Sequence, residues 1–164
     1  MKHLLTAILL LAFAHTAAGE RNVSLERDFG TLYGTLLTPD AGTETVAVII
    51  AGSGPTPRNG NVNSYLYLAQ ALEKAGIASL RYDDRGWGDK STDFSRFTTD
   101  DFKQDAAAAL QLLRQRFRRV GIVGHSEGGT IALMLAAEGK ADFIVSLAGM
   151  AASGRETLLQ QNRL

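Results

Sequence analysis

Ser126 sits in the pentapeptide Gly124-His125-Ser126-Glu127-Gly128, directly after the apolar run Val120 to Val123. A G-x-S-x-G sequence between a strand and a helix places a serine hydroxyl on a sharp turn, exposed above a sheet. The two glycines are expected to let the backbone make that turn. An activated serine hydroxyl does acyl transfer through a serine ester. As a bare pattern the pentapeptide carries little weight in a chain with 17 glycines. Its position gives it more, because Ile131, Leu133, Met134 and Leu135 continue as helix-forming residues with core spacing.

Acyl transfer also needs donors for the developing oxyanion. The backbone N–H of Glu127, at the start of the helix after Ser126, supplies one. The second is assigned to the backbone N–H of Ser53, in the loop Ala51-Gly52-Ser53-Gly54 after an earlier apolar strand. The Ser53 hydroxyl itself is assigned to its loop rather than to chemistry. A phosphate-binding reading of that loop fails, since it lacks the lysine and hydroxyl of G-x-x-x-x-G-K-[ST]. A base is harder to find. The three histidines are His3, His15 and His125, and only 36 residues follow Gly128, none of them histidine. The side chain of His125 is expected to point away from Ser126. Asp142 precedes the last strand, on the wrong side of the sheet for a catalytic acid. The chain is therefore expected to hold the nucleophile without its acid and base, and a serine without a base is a weak nucleophile.

The elements that position these residues follow from periodicity. Strands are predicted at Asn22–Phe29, Thr31–Thr38, Val46–Ile50, Ile77–Leu80, Val120–Val123 and Phe143–Leu147. Tyr65, Leu68, Ala69 and Leu72 recur at helical spacing up to Gly76, and Thr130–Glu138 and Arg155–Asn162 read as further helices. Thr98 with Asp101 forms a capping-box pattern before the apolar face Phe102, Ala106, Ala109, Leu110, Leu113 and Phe117. The cluster Arg114, Arg116, Arg118 and Arg119 is read as solvated charge at that helix's C-terminal end. From Val46 onward strand and helix alternate, which predicts a mainly parallel sheet with helices on both faces and a ligand site at the carboxyl ends of its strands.

Composition narrows the class. Of 164 residues, 45% are hydrophobic and 21% charged, a globular balance. Seventeen basic and seventeen acidic residues cancel, so nothing points to nucleic acid, and with no cysteine there is no disulfide or thiolate metal site. No cofactor and no metal are expected. Residues 1–19 differ from the rest: Lys2 and His3, the apolar stretch Leu4 to Phe13, then Ala17, Ala18 and Gly19 have the three regions of an export signal. The stretch is too short to span a membrane. Cleavage after Ala18 would leave 16 basic against 17 acidic residues and a secreted or periplasmic protein.

Three motifs in order resemble the N-terminal half of an α/β-hydrolase of the esterase, lipase and proline-iminopeptidase-like kind. They are the Gly52-Ser53-Gly54-Pro55 loop, with Ala51 where that family usually has histidine, the segment Arg81 to Ser91, similar to R-x-D-x-R-G-x-G-x-S, and the Ser126 pentapeptide. The likeness covers residues 22 to 150. It implies an α/β-hydrolase fold truncated after about six strands, occupying residues 20–164, and an exported serine hydrolase acting on a small-molecule acyl substrate. It also implies a triad in the order Ser, acid, His, of which only Ser126 is in this chain. The Arg85-Gly86-x-Gly88 turn is assigned a structural role. The alternative is a non-catalytic binding or regulatory module that keeps the hydrolase shape.

Overall fold

Residues 18–88, 91–150 and 152–162 are described by a computed structural model. The export signal predicted at residues 1–19 lies outside the described residues except for Ala18 and Gly19. Six strands form one sheet: β1 (Gly19–Arg27), β2 (Gly30–Thr38), β3 (Thr45–Ile50), β4 (Ala78–Tyr82), β5 (Arg119–His125) and β6 (Ile144–Leu147). Their order is β1-β2-β4-β3-β5-β6. β1 and β2 form an antiparallel hairpin with Leu25 opposite Leu32, and β2 runs antiparallel to β4. β4, β3, β5 and β6 are mutually parallel. The predicted mainly parallel sheet is present.

Side-chain alternation along β3 shows how helices cover both faces. Val46, Val48 and Ile50 face one core with Leu80, Ile122, Ile131 and Leu135, while Ile49 faces the other with Leu37 and Ala69. A strand buried on both faces reads as one apolar run, which is what Val46 to Ile50 is. Helices α2 (Thr99–Leu113) and α3 (Glu127–Ala137) cover the first face, and α1 (Ser64–Lys74) covers the second. A final helix, α4, spans Gly154–Gln161.

The capping box of α2 is formed. Thr98 Oγ1 accepts from the Asp101 N–H, and Asp101 Oδ2 accepts from the Thr98 N–H. Such a cap contributes about 1 kcal/mol. Two sequence expectations shift. α3 begins at Glu127 rather than Thr130, and Leu133 on it is exposed. On β6, Val145 and Leu147 are 44% and 41% exposed, as expected for an edge strand.

The loop after β4 is tied to α2 by buried charge. Arg85 donates from Nε to Asp105 Oδ2 at 2.7 Å and from Nη2 to Asp105 Oδ1 at 2.8 Å, and Arg27 donates to the same carboxylate at 3.0 Å. Phe29 and Phe97 flank the guanidinium, with centroids 4.2 and 5.1 Å from Cζ. Asp105 is 2% exposed and Arg85 5%. Removing one charge therefore strands another away from water, at about 3–5 kcal/mol. Asp105→Asn is expected to lower Tm by roughly 10 °C. A shift below about 2 °C in a thermal melt would show that these charges are effectively solvated.

Candidate active site

The turn at Ser126 departs from expectation in an informative way. The positive φ falls on the serine itself, φ 52° and ψ −115°, not on the glycines beside it. Such a conformation costs a non-glycine residue on the order of 1–3 kcal/mol and persists only where surrounding contacts hold it. Here they do. The Ser126 N–H donates to Leu147 O on β6 at 2.8 Å, and Ser126 O accepts from the Gly129 N–H at 2.9 Å. The glycines supply room instead. A Cβ on Gly124 would lie 2.1 Å from Gly128 O, and one on Gly128 would lie 2.4 Å from the carbonyl oxygens of both Ile50 and Ala51. The first turn of α3 thus rests directly on the end of β3.

That contact brings the two sequence-predicted regions together. Ser53 and Ser126 line one cleft of about 540 Å³ with Gly52, Tyr65, His125 and Leu147. It opens at the carboxyl ends of β3 and β5. Among the described residues, neither the Ser53 N–H nor the Glu127 N–H donates a hydrogen bond to the protein, and Ser126 Oγ has no partner. The Glu127 side chain turns aside, its Oε1 accepting from Thr99 Oγ1 at 2.5 Å. His125 differs from its predicted orientation. Its ring faces the same cleft as Ser126, with Nδ1 3.2 Å from Tyr65 Oη. Asp142 lies at the opposite end of β5, accepting from the Val120 N–H at 2.7 Å and from Arg114. Among the described residues no cluster of three or more His, Cys, Asp or Glu could hold a metal ion.

The loop that carries Ser53 is held from the end of β4. Arg81 Nε donates to Asn59 Oδ1 at 2.9 Å. Asp83 Oδ1 accepts from the Arg58 N–H at 2.8 Å and Asp83 pairs with the Arg58 guanidinium. Asp84 Oδ2 accepts from the Thr56 N–H at 3.0 Å, and the Asp84 N–H donates to Thr56 O at 3.1 Å. Sequence reasoning gave Arg81, Asp83 and Asp84 to a resembling motif without a partner for any of them. In the sequence Tyr65 shows only the spacing of an apolar helix face. No local signal could have found these pairs, since every partner lies at least 13 residues away.

A model of the family described as "Serine aminopeptidase, S33" matches residues 46–160. The chain belongs to this family of α/β-hydrolases. It is 28% identical over 126 residues to Esterase EstD of Thermotoga maritima, covering 74% of this chain and 31% of that protein. A dienelactone hydrolase of Anabaena variabilis is similar in structure at TM-score 0.65 and 29% identity, over 82% of this chain and 65% of that one. An esterase of Pyrococcus furiosus shares the fold at TM-score 0.68 and 18% identity, over 90% of this chain and 60% of that one. The chain spans less than two thirds of the length of each of these relatives.

Burial, opposed by the Thr56 hydrogen bonds and reinforced by the nearby carboxylates of Glu127 and Asp105, pushes the Asp84 carboxyl up to about 7. The folded chain then holds a proton that the unfolded chain releases near 3.8. Between those values the native state binds more protons, so this group's contribution to stability falls as pH rises from about 4 to about 7 and is level above. Asp84→Asn keeps an oxygen for the Thr56 N–H and removes that slope. In urea titrations its stability relative to the native chain should climb across this window; a gap independent of pH would contradict the buried neutral carboxyl.

Proposed function

We propose that these residues form the nucleophile half of a serine hydrolase site acting on carboxylic esters or related acyl compounds. The observation that carries the reading is the elbow itself: Ser126 at φ 52°, sharing a cleft with the Ser53 loop. Ser126 Oγ would attack the substrate carbonyl carbon, forming the Oγ–C bond and giving up its proton to a base. The carbonyl oxygen, now an oxyanion, would take hydrogen bonds from the N–H groups of Ser53 and Glu127. Collapse breaks the bond to the leaving alcohol, which takes a proton as it departs. Water then repeats the sequence on the Ser126 ester and releases the acid.

Among the described residues this reading assigns no base and no orienting acid to Ser126. His125 is the one histidine beside Ser126, and its Nδ1 is engaged by Tyr65. The relatives named as esterases support the ester class. The predicted export signal adds a location. Cleavage after Ala18 would leave a mature chain that begins at Gly19, in a secreted or periplasmic location. A small-molecule acyl substrate is the implied partner.

A fluorophosphonate probe tests the nucleophile, because it reports a reachable Ser126 hydroxyl beside oxyanion donors without requiring turnover. With no base assigned to it, Ser126 should take up a phosphonyl group only slowly, seen on the tryptic peptide that carries it, and Ser126→Ala should gain none. Failure to label would favour the non-catalytic binding or regulatory module. With p-nitrophenyl acetate the chain alone should turn over below about 10⁻³ s⁻¹, far under the median of about 10 s⁻¹ for enzymes. Robust hydrolysis lost in Ser126→Ala would place a working base within these residues. N-terminal sequencing of exported protein should begin at Gly19, and a mature chain that retains Lys2 would reject the signal.

A further inference from the structure

Tyr65, the second residue of α1, packs its ring on the small core made by Leu37, Ile49 and Ala69. Its hydroxyl is not left to water. Tyr65 Oη accepts the Gly52 N–H at 3.2 Å and lies 3.2 Å from His125 Nδ1. The rings of Tyr65 and His125 are 6.3 Å apart and tilted at 57°. Gly52 is the residue before Ser53, and His125 is the residue before Ser126. One phenolic oxygen therefore joins the residues immediately preceding the two halves of the site.

We infer that Tyr65 is a positioning residue, tying the loop that presents the Ser53 N–H to the elbow that presents Ser126. The inference rests on the reading of Ser126 and Ser53 above. Its chemistry follows from the hydrogen-bond inventory. A backbone N–H can only donate, so Tyr65 Oη is the acceptor for Gly52, and the phenol's own proton remains available to His125 Nδ1 when that nitrogen is unprotonated. Burial raises the Tyr65 pKa, so the hydroxyl stays protonated at ordinary pH and the junction is not lost by ionisation. The bond also takes the Gly52 N–H out of the set of free donors, leaving those of Ser53 and Glu127 unbonded. Without the hydroxyl, the half-buried Gly52 N–H loses its partner. The loop is then anchored only further along, at Thr56 by Asp84 and at Arg58 by Asp83. A donor displaced by even 1 Å can cost on the order of a hundredfold in rate.

The experiment compares the full chain with Tyr65→Phe, which keeps the ring in its core, by ¹⁵N NMR and by fluorophosphonate kinetics. In the variant the Gly52 amide proton should move toward the shift of a weakly bonded amide, and His125 Nδ1 toward that of a solvated imidazole. The ¹⁵N order parameter of Ser53 should fall while that of Thr56 stays unchanged. The maximal phosphonylation rate of Ser126 should drop about tenfold with the concentration for half-saturation unaltered. An unchanged Ser53 order parameter, or an unchanged labelling rate beside a shifted Gly52 amide, overturns the inference. Absence of labelling in the native chain counts against the nucleophile assignment instead, and the Ser53 order parameter still decides the role of Tyr65. His125→Ala supplies a second variant. It should leave the Gly52 amide shift where it is, and a shift as large as that in Tyr65→Phe would mean that His125 holds the loop, contrary to the inference.

Discussion

The rest of the site depends on one close approach. The α-carbon of Gly128 rests on the carbonyl groups of Ile50 and Ala51 at the end of β3, with no space for even a methyl group between them. Backbone packed that closely fixes the first turn of α3 against the strand end from which the Ser53 loop departs. The same contact sets how sharply the chain must turn between β5 and α3, and Ser126 takes the strained φ that results. Strain at a functional position is held by surrounding structure. Here Leu147 on β6 supplies part of that hold through its carbonyl. An exposed edge strand is thus also a support for the elbow.

A second constraint is electrostatic and radiates from the end of β4. Over five positions, Arg81, Asp83, Asp84 and Arg85 each reach a different partner: Asn59, Arg58, Thr56 and Asp105. The first three hold the loop before α1, and the fourth holds α2. Buried ion pairs add little net stability, because desolvation offsets most of the attraction. Their effect is geometric. Guanidinium and carboxylate groups that must find partners out of water allow few arrangements of the segments that carry them, so the Ser53 loop is held in one conformation. The Arg85 turn thus has the structural role expected of it, with α2 as its anchor.

The fold was legible in the sequence because it depends on local patterns. The run Val46 to Ile50 announces a strand buried on both faces, and Thr98 with Asp101 announces the start of α2. Ser126 was legible for the same reason, being flanked by the strand and helix that its motif requires. What stayed hidden depends on distances between remote residues. Asp105 reads as one more polar position on a helix, yet two arginines make it part of the core. Tyr65 reads as an apolar helix face, and its hydroxyl partners lie 13 and 60 residues away. The glycines of the pentapeptide suggest the source of the turn, whereas they supply clearance and the serine supplies the turn. Leu133 was expected on the core face of α3 but faces solvent, since it lies two positions from each of the buried Ile131 and Leu135 and so on the opposite side of the helix.

The central proposal is that the Gly128 contact sets Ser126 and the unbonded Ser53 and Glu127 amides around one reacting centre. A crystal structure of the chain phosphonylated at Ser126 tests it most directly, because the phosphonyl oxygen occupies the place of the oxyanion. The account predicts that oxygen about 2.7–3.1 Å from both the Ser53 and Glu127 nitrogens, with Ser126 still at positive φ. An adduct whose oxygen faces solvent, or meets donors other than these two, would contradict it.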